Sequence, residues 1–217
     1  QGSRGLGDVY KRQMLDISPE TNEVIDEIRR SVAALCEKFP GEYWREQDRD
    51  RAYPTEFVKA LTDAGFLAVL VPEEYGGLGM PLTSSVLVCD YFSGSSGSTS
   101  TAFGAHTGIG TMPILLYGNE EQKKKYIPKL ATGEHIGAYC LTEPSAGSDA
   151  NNGKTKAELS DDGKFYFITG QKMWISNAGF ADILTVFARI ENDKNISAFI
   201  VENNPENGIE LGNEESK

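Results

Sequence analysis

The chain has 217 residues, 39% of them hydrophobic and 24% charged. That is the balance of a folded globular protein rather than a disordered one. The formal net charge is −11, and no Lys/Arg stripe breaks the acidity, which argues against nucleic acid and anionic membrane surfaces as partners. A phosphorylated ligand stays admissible, because backbone N–H groups bind phosphate without net positive charge.

Three cysteines, Cys36, Cys89 and Cys140, lie far apart with no CxxC spacing. This disfavours a disulfide framework and zinc, and fits small buried hydrophobes in a reducing compartment. No apolar run is long enough to span a bilayer. The opening stretch QGSRGLGDVYKRQ precedes Met14 and has no apolar core. Residues 1–13 therefore read as a non-native leader, with a native basic tail as the alternative, and are set aside from the fold.

The elements follow in chain order. Ser18 caps a helix with Pro19 at its first position. Val24, Ile25, Ile28, Val32 and Leu35 fall on one face of it, and it stops before Pro40-Gly41. A second helix is expected from Pro54 to Ala64, with Phe57, Val58 and Leu61 inward and Gly65 as its stop. VPEEYGGLG, Val71 to Gly79, reads as a loop. A third helix is expected from Leu82 to Phe92. SGSSGSTST, Ser93 to Thr101, resembles a flexible linker in composition, but its apolar flanks favour a helix break within one domain. Ala102 to Tyr117 suits a buried, Gly-containing helix. Asn119, with Gln122 three residues on, forms a capping-box pattern that opens EEQKKKYIPKLA.

The pattern changes after Gly133. His135 to Thr142 is a short apolar run. LSDDGKFYFITG places Asp162-Gly163 between two alternating stretches, a hairpin signal. KMWISN, DILTVFARI, ISAFIVE and GIEL follow as strand candidates. Helices first and strands second give an α+β chain by segregation, or two separate domains with the boundary near Gly133. An all-α helical part followed by an antiparallel barrel or sheet is the expected class.

Two stretches carry chemistry. In YCLTEPSAGSDA, Tyr139 to Ala150, Glu143-Pro144 leaves the strand in extended geometry, and Ala146-Gly147-Ser148 lets a ligand approach the backbone. A turn that binds nothing is the plain alternative. In KMWISNAG, Lys172 to Gly179, a strand would put Trp174 and Ser176 on one face. A flat aromatic beside a hydroxyl suits a planar heterocycle. A core Trp with an incidental Ser is the alternative there. Gly153-Lys154-Thr155 copies the end of a P-loop, but position 148 is Ser rather than Gly and a strand-like segment follows. His106 and His135 sit in no triad context, and no metal spacing is present.

Taken together, YCLTEPSAGSDA, KMWISNAG, EFVKALTDAGFLAVLVPEEYGGLG and AFGAHTGIGTMPILLYGNEEQKKKYIPKLATGE resemble the acyl-CoA dehydrogenase family of flavoproteins over about Ile17 to Lys217. AHTGIGTMPIL and ADILTVFARI lean towards its very-long-chain branch. The resemblance implies an N-terminal helical domain over 14–134 and an incomplete middle β domain over 135–217, with the C-terminal helical domain absent. It implies FAD as cofactor. Tyr139, Leu141 and Thr142 would lie along the flavin, and Gly147 and Ser148 at the pyrophosphate, with Ser148 also at the acyl-CoA. Trp174 and Ile175 would lie beside the ring system, and Ser176 at flavin N5. Glu143 and Asp149 are then structural. Asn152 and Ile190 depart from the family pattern, and Ile190 puts one CoA contact in doubt.

The implied reaction is α,β-dehydrogenation of acyl-CoA to trans-2-enoyl-CoA, with electrons passed to an electron-transfer flavoprotein. A glutamate base is expected beyond Lys217, so the 217 residues alone are expected to be inactive. A homo-oligomer and an intracellular setting, bacterial cytoplasm or mitochondrial matrix, are further expectations. An acyl-CoA oxidase, a flavin monooxygenase on the same fold and a non-catalytic binding module are the alternatives.

Overall fold

The computed structural model describes residues 19–213 except 96 and 192. The Ser18 cap and the leader lie outside the described residues. Helix α1 spans Pro19–Cys36. Its 3–4 spacing buries Ile25, Ile28, Val32 and Leu35, while Val24 at the edge of the stripe stays exposed. Helix α2, Gly41–Asp50, was not foreseen. It has no apolar stripe and no buried residue. It is held by Tyr43 and Trp44, whose rings pack edge-on against Phe39 and Phe57 at 5.0 and 4.9 Å. Helix α3, Thr55–Asp63, buries Phe57 and Leu61 and ends at Gly65, whose φ of +76° is left-handed.

Helices α4, Leu82–Ser95, and α5, Gly97–Gly104, absorb most of the Ser/Gly-rich stretch. Serine and glycine are poor helix formers, so tertiary packing decides. Phe92 and Phe103 are fully buried on either side of that stretch, and each buried ring contributes about 1.5–3 kcal/mol. A π-helical segment, Ala105–Thr111, then leads into α6, Met112–Tyr117. Helix α7, Glu120–Ala131, opens on the capping box: Gln122 N donates to the Asn119 side chain at 2.8 Å, and Asn119 N donates to that of Gln122 at 2.9 Å. Among the described residues, no helix is long and apolar enough to cross a membrane.

The strands form one mixed sheet: β1 Gly137–Cys140, β2 Lys156–Leu159, β3 Tyr166–Thr169, β4 Ile183–Ile190 and β5 Ile196–Glu202. Hairpins β2–β3 and β4–β5 are antiparallel. β1 and β2 both run parallel to β4, on successive stretches of one edge (Gly137↔Ile183 to Cys140↔Val186, then Lys156↔Arg189). The α+β class therefore holds, with parallel pairs where an antiparallel sheet was expected. GIEL forms no strand.

Helices and sheet share a core. Ile183 of β4 packs in one cluster with Val71, Ile114, Ile127 and Leu130. The π segment lies backbone-to-backbone on β1. A Cβ on Gly110 would fall 2.8 Å from the Gly137 carbonyl oxygen, and one on Gly137 would fall 2.9 Å from Gly110. His106 fastens this seam. Its Nδ1 accepts from Gly137 N at 3.2 Å and its Nε2 faces the Leu130 carbonyl at 2.8 Å, which fixes a neutral ring. Burial lowers its pKa, so this is a core histidine.

Candidate functional site

β1 ends at Cys140, and the chain turns at once. Glu143 and Ala146 exchange two backbone hydrogen bonds, 3.0 and 3.1 Å, which close Glu143-Pro144-Ser145-Ala146 into a tight turn. Ala146 is buried beneath it, and Gly147 and Ser148 stand exposed. A Cβ on Gly147 would meet nothing within 4 Å. The amides of Gly147 and Ser148 donate to nothing among the described residues.

The amides of the P-loop look-alike are already used. Lys154 N donates to Glu143 Oε2 at 2.5 Å and Thr155 N to Oε1 at 3.1 Å. Strand β2 starts right after them. No phosphate can take those donors without displacing a buried carboxylate. A Cβ on Gly153 would come 2.9 Å from Glu143 Oε1, so the glycine admits the side chain of Glu143 and not a ligand.

Glu143 is 6% exposed. Burial alone would raise its pKa. The Lys172 ammonium, the nearby Thr155 hydroxyl and the amides of Lys154 and Thr155 outweigh that and lower it to about 2. Lys172 Nζ sits 2.8 Å from Glu143 Oε1 and also donates to the Leu141 carbonyl at 3.1 Å. Glu143 is thus ionised, saturated and structural, as the sequence comparison suggested. Its partner Lys172 was missed. A lysine inside an otherwise apolar KMWIS is the available signal, since a buried ammonium requires an anion.

The stretch KMWISNAG is a loop, which corrects the strand expected there. Trp174 and Asn177 have φ of +56° and +69°, values that no strand admits. Its polar groups pair outward instead: Met173 N donates to the Thr142 carbonyl at 2.9 Å, and Asn177 Nδ2 to the Gly137 carbonyl at 3.2 Å. The shared-face argument for Trp174 and Ser176 therefore lapses. Both side chains are nevertheless solvent-facing, with Trp174 at 71% exposure. Phe180 closes the loop against Tyr53, the two rings tilted by 38° with centres 3.7 Å apart.

The structure joins Leu141 and Thr142 directly to Lys172 and Met173. It sets Gly147 and Ser148 on the exposed turn and Trp174 and Ser176 on the adjoining loop. Ile175 is half-buried in a small cluster with Ala138, Cys140 and Leu184. Tyr139 sits apart on the sheet face, 4.8 Å from the ring of Phe187. There it lines a cleft of about 260 Å³ with Ile114, Tyr117, Thr185 and Phe199. The hydroxyls of Thr142, Ser148 and Ser176 have no hydrogen-bond partner among the described residues. No cluster of metal-binding side chains occurs among the described residues.

A helical layer joined to a mixed sheet, with unspent amides, hydroxyls and an exposed indole near one strand end, defines the class as α+β. Its first part, residues 22–134, matches the acyl-CoA dehydrogenase N-terminal domain, and residues 138–217 match the acyl-CoA dehydrogenase middle domain. The chain belongs to the acyl-CoA dehydrogenase family, whose members are FAD-dependent flavoproteins. A probable acyl-CoA dehydrogenase of Bacillus subtilis is 50% identical over 165 residues, 76% of this chain and 27% of the relative. An acyl-CoA dehydrogenase of Bacillus anthracis solved with FAD is 42% identical, with a TM-score of 0.69 over 86% of this chain and 31% of that one. Butyryl-CoA dehydrogenase of Megasphaera elsdenii is 30% identical, with a TM-score of 0.78 over 87% and 50%. The chain thus spans between about a quarter and a half of these relatives' lengths.

Proposed function

We propose that this chain contributes the flavin cradle of an acyl-CoA dehydrogenase that oxidises an acyl-CoA thioester to its trans-2-enoyl-CoA. The observation that carries the reading is the contrast between two adjacent sets of amides. Those of Lys154 and Thr155 are consumed by Glu143, while those of Gly147 and Ser148 are unspent on an exposed turn. Exposed backbone donors of this kind suit a pyrophosphate. The residues present therefore fit FAD.

FAD supplies the two-electron acceptor when bound. In this chain Gly147 and Ser148 hold the pyrophosphate, with Ser148 shared by the acyl-CoA. Thr142 would donate its unpaired hydroxyl to the flavin, and Leu141 and Ile175 would supply apolar walls. Trp174 would offer its exposed indole to the flavin ring system, and Ser176 would offer a hydroxyl donor to it. Tyr139 belongs to the same site through β1.

Glu143 cannot act as the base that removes a substrate proton. Both oxygens are taken, and a pKa lowered to about 2 makes it a poor base at neutral pH. The base is a group other than Glu143, supplied from outside the 217 residues, which alone do not turn over. The electron acceptor is an electron-transfer flavoprotein, the working unit is a homo-oligomer, and the setting is a bacterial cytoplasm or mitochondrial matrix. The test is acyl-CoA-dependent reduction of an electron-accepting dye by the full-length polypeptide, run beside an oxygen electrode. Dye reduction without oxygen uptake supports a dehydrogenase. Oxygen uptake at the same rate makes it an oxidase or monooxygenase, and robust turnover by the 217 residues alone overturns the assignment of the base.

A further inference from the structure

We infer that Lys172 is a positioning residue, a clamp that sets how the turn after β1 and the Trp174 loop face the flavin. The inference rests on the FAD reading above. The two stretches meet through very few bonds. Lys172 Nζ donates to the Leu141 carbonyl and to Glu143, and Met173 N donates to the Thr142 carbonyl. Glu143 passes the restraint on, because it also holds Lys154 N and Thr155 N and closes the 143–146 turn through its own backbone. One buried ion pair therefore joins three segments: the strand end with its turn, the start of β2 and the indole loop. The side chains are 14% exposed for Lys172 and 4% for Glu143, so water does not replace either partner readily.

The loop beyond Lys172 needs such a clamp. Trp174 adopts φ of +56°, a conformation unfavourable for a bulky residue unless its surroundings impose it. The indole is 71% exposed, so packing of its own ring does not impose it. The restraint comes from the flanks: Lys172 and Met173 on one side, Asn177 bonded to the Gly137 carbonyl on the other. Lysine suits the position because one compact ammonium can donate both to a carbonyl and to a carboxylate. Removing it frees the preceding flank, and Trp174 and Ser176 lose their fixed relation to Thr142.

The test uses the full-length chain with four variants: Lys172→Met, Lys172→Arg, Glu143→Gln and the Lys172→Met/Glu143→Gln double. FAD affinity by flavin fluorescence quenching, visible circular dichroism of the bound flavin and the melting temperature of the apoprotein are read for each. Lys172→Met is expected to weaken FAD binding roughly tenfold or more and to alter the flavin dichroism. Lys172→Arg should recover much of both. The double variant should regain thermal stability, because the unpaired buried charge is gone, without regaining FAD affinity. Should Lys172→Met fail to fold, the arginine and double variants carry the comparison. FAD affinity within about twofold of wild type in Lys172→Met or in the double variant overturns the clamp and leaves the FAD reading standing. A wild-type chain that takes up no flavin overturns both.

Discussion

The buried carboxylate of Glu143 should impose a measurable acid limb on stability. Its pKa lies near 2 in the folded protein against an ordinary glutamate value of 4.5. A carboxylate with a depressed folded pKa stabilises the fold above its unfolded pKa, and that stabilisation fades as the pH falls through the folded one. At about 1.4 kcal/mol for each pH unit of difference, Glu143 is worth about 3 kcal/mol at neutral pH relative to the protonated state. The group is 6% exposed, so solvent screening discounts this little. The loss falls between about pH 5 and pH 2. Other carboxylates, among them Glu120, Glu134 and Glu202, also have lowered pKa values and add to the acid sensitivity. The discriminating quantity is therefore the difference between wild type and Glu143→Gln. Urea unfolding followed by tryptophan fluorescence at pH 7, 5, 4 and 3 supplies it. The wild-type advantage should be large at pH 7, change little by pH 5, and shrink through pH 4 and 3. A constant difference across that range would refute the claim that the ionised form of Glu143 is what the fold requires.

Two further outcomes test the frame that carries the site. Gly137→Ala places a methyl 2.9 Å from the Gly110 backbone and should cost about 1–3 kcal/mol, read as a drop in the urea midpoint. A neutral result would mean that the π segment does not press on β1. Asn119→Ala removes one arm of the capping box and should cost about 1 kcal/mol at the start of α7. Glycine at the same position should cost only a few tenths, so equal losses for the two variants would argue against capping as the cause.

Local signals were legible and long-range ones were not. The Asn119–Gln122 box is complete within four residues, and the Asp162-Gly163 turn lies within its own hairpin, so both could be read directly. Helix α1 showed itself through the spacing of Ile25, Ile28, Val32 and Leu35. Helix α2 did not, because GEYWREQDRD has no stripe and docks through two aromatics onto Phe39 and Phe57. KMWISNAG alternates like a strand, yet Met173 bonds to Thr142 and Asn177 to Gly137, some thirty to forty residues back. Nothing within the stretch announces the left-handed turn at Trp174. The Lys172–Glu143 pair spans 29 residues in the same way. The two stretches proposed to hold the cofactor could be identified from sequence. The bonds that fix their mutual geometry required the fold.

The proposed activity requires the turn after β1 and the Trp174 loop to hold FAD. The deciding measurement is the visible absorbance of the purified full-length chain, before and after anaerobic addition of acyl-CoA. Bound flavin that bleaches on addition of the thioester is the predicted result. A colourless protein that takes up no added FAD would contradict it.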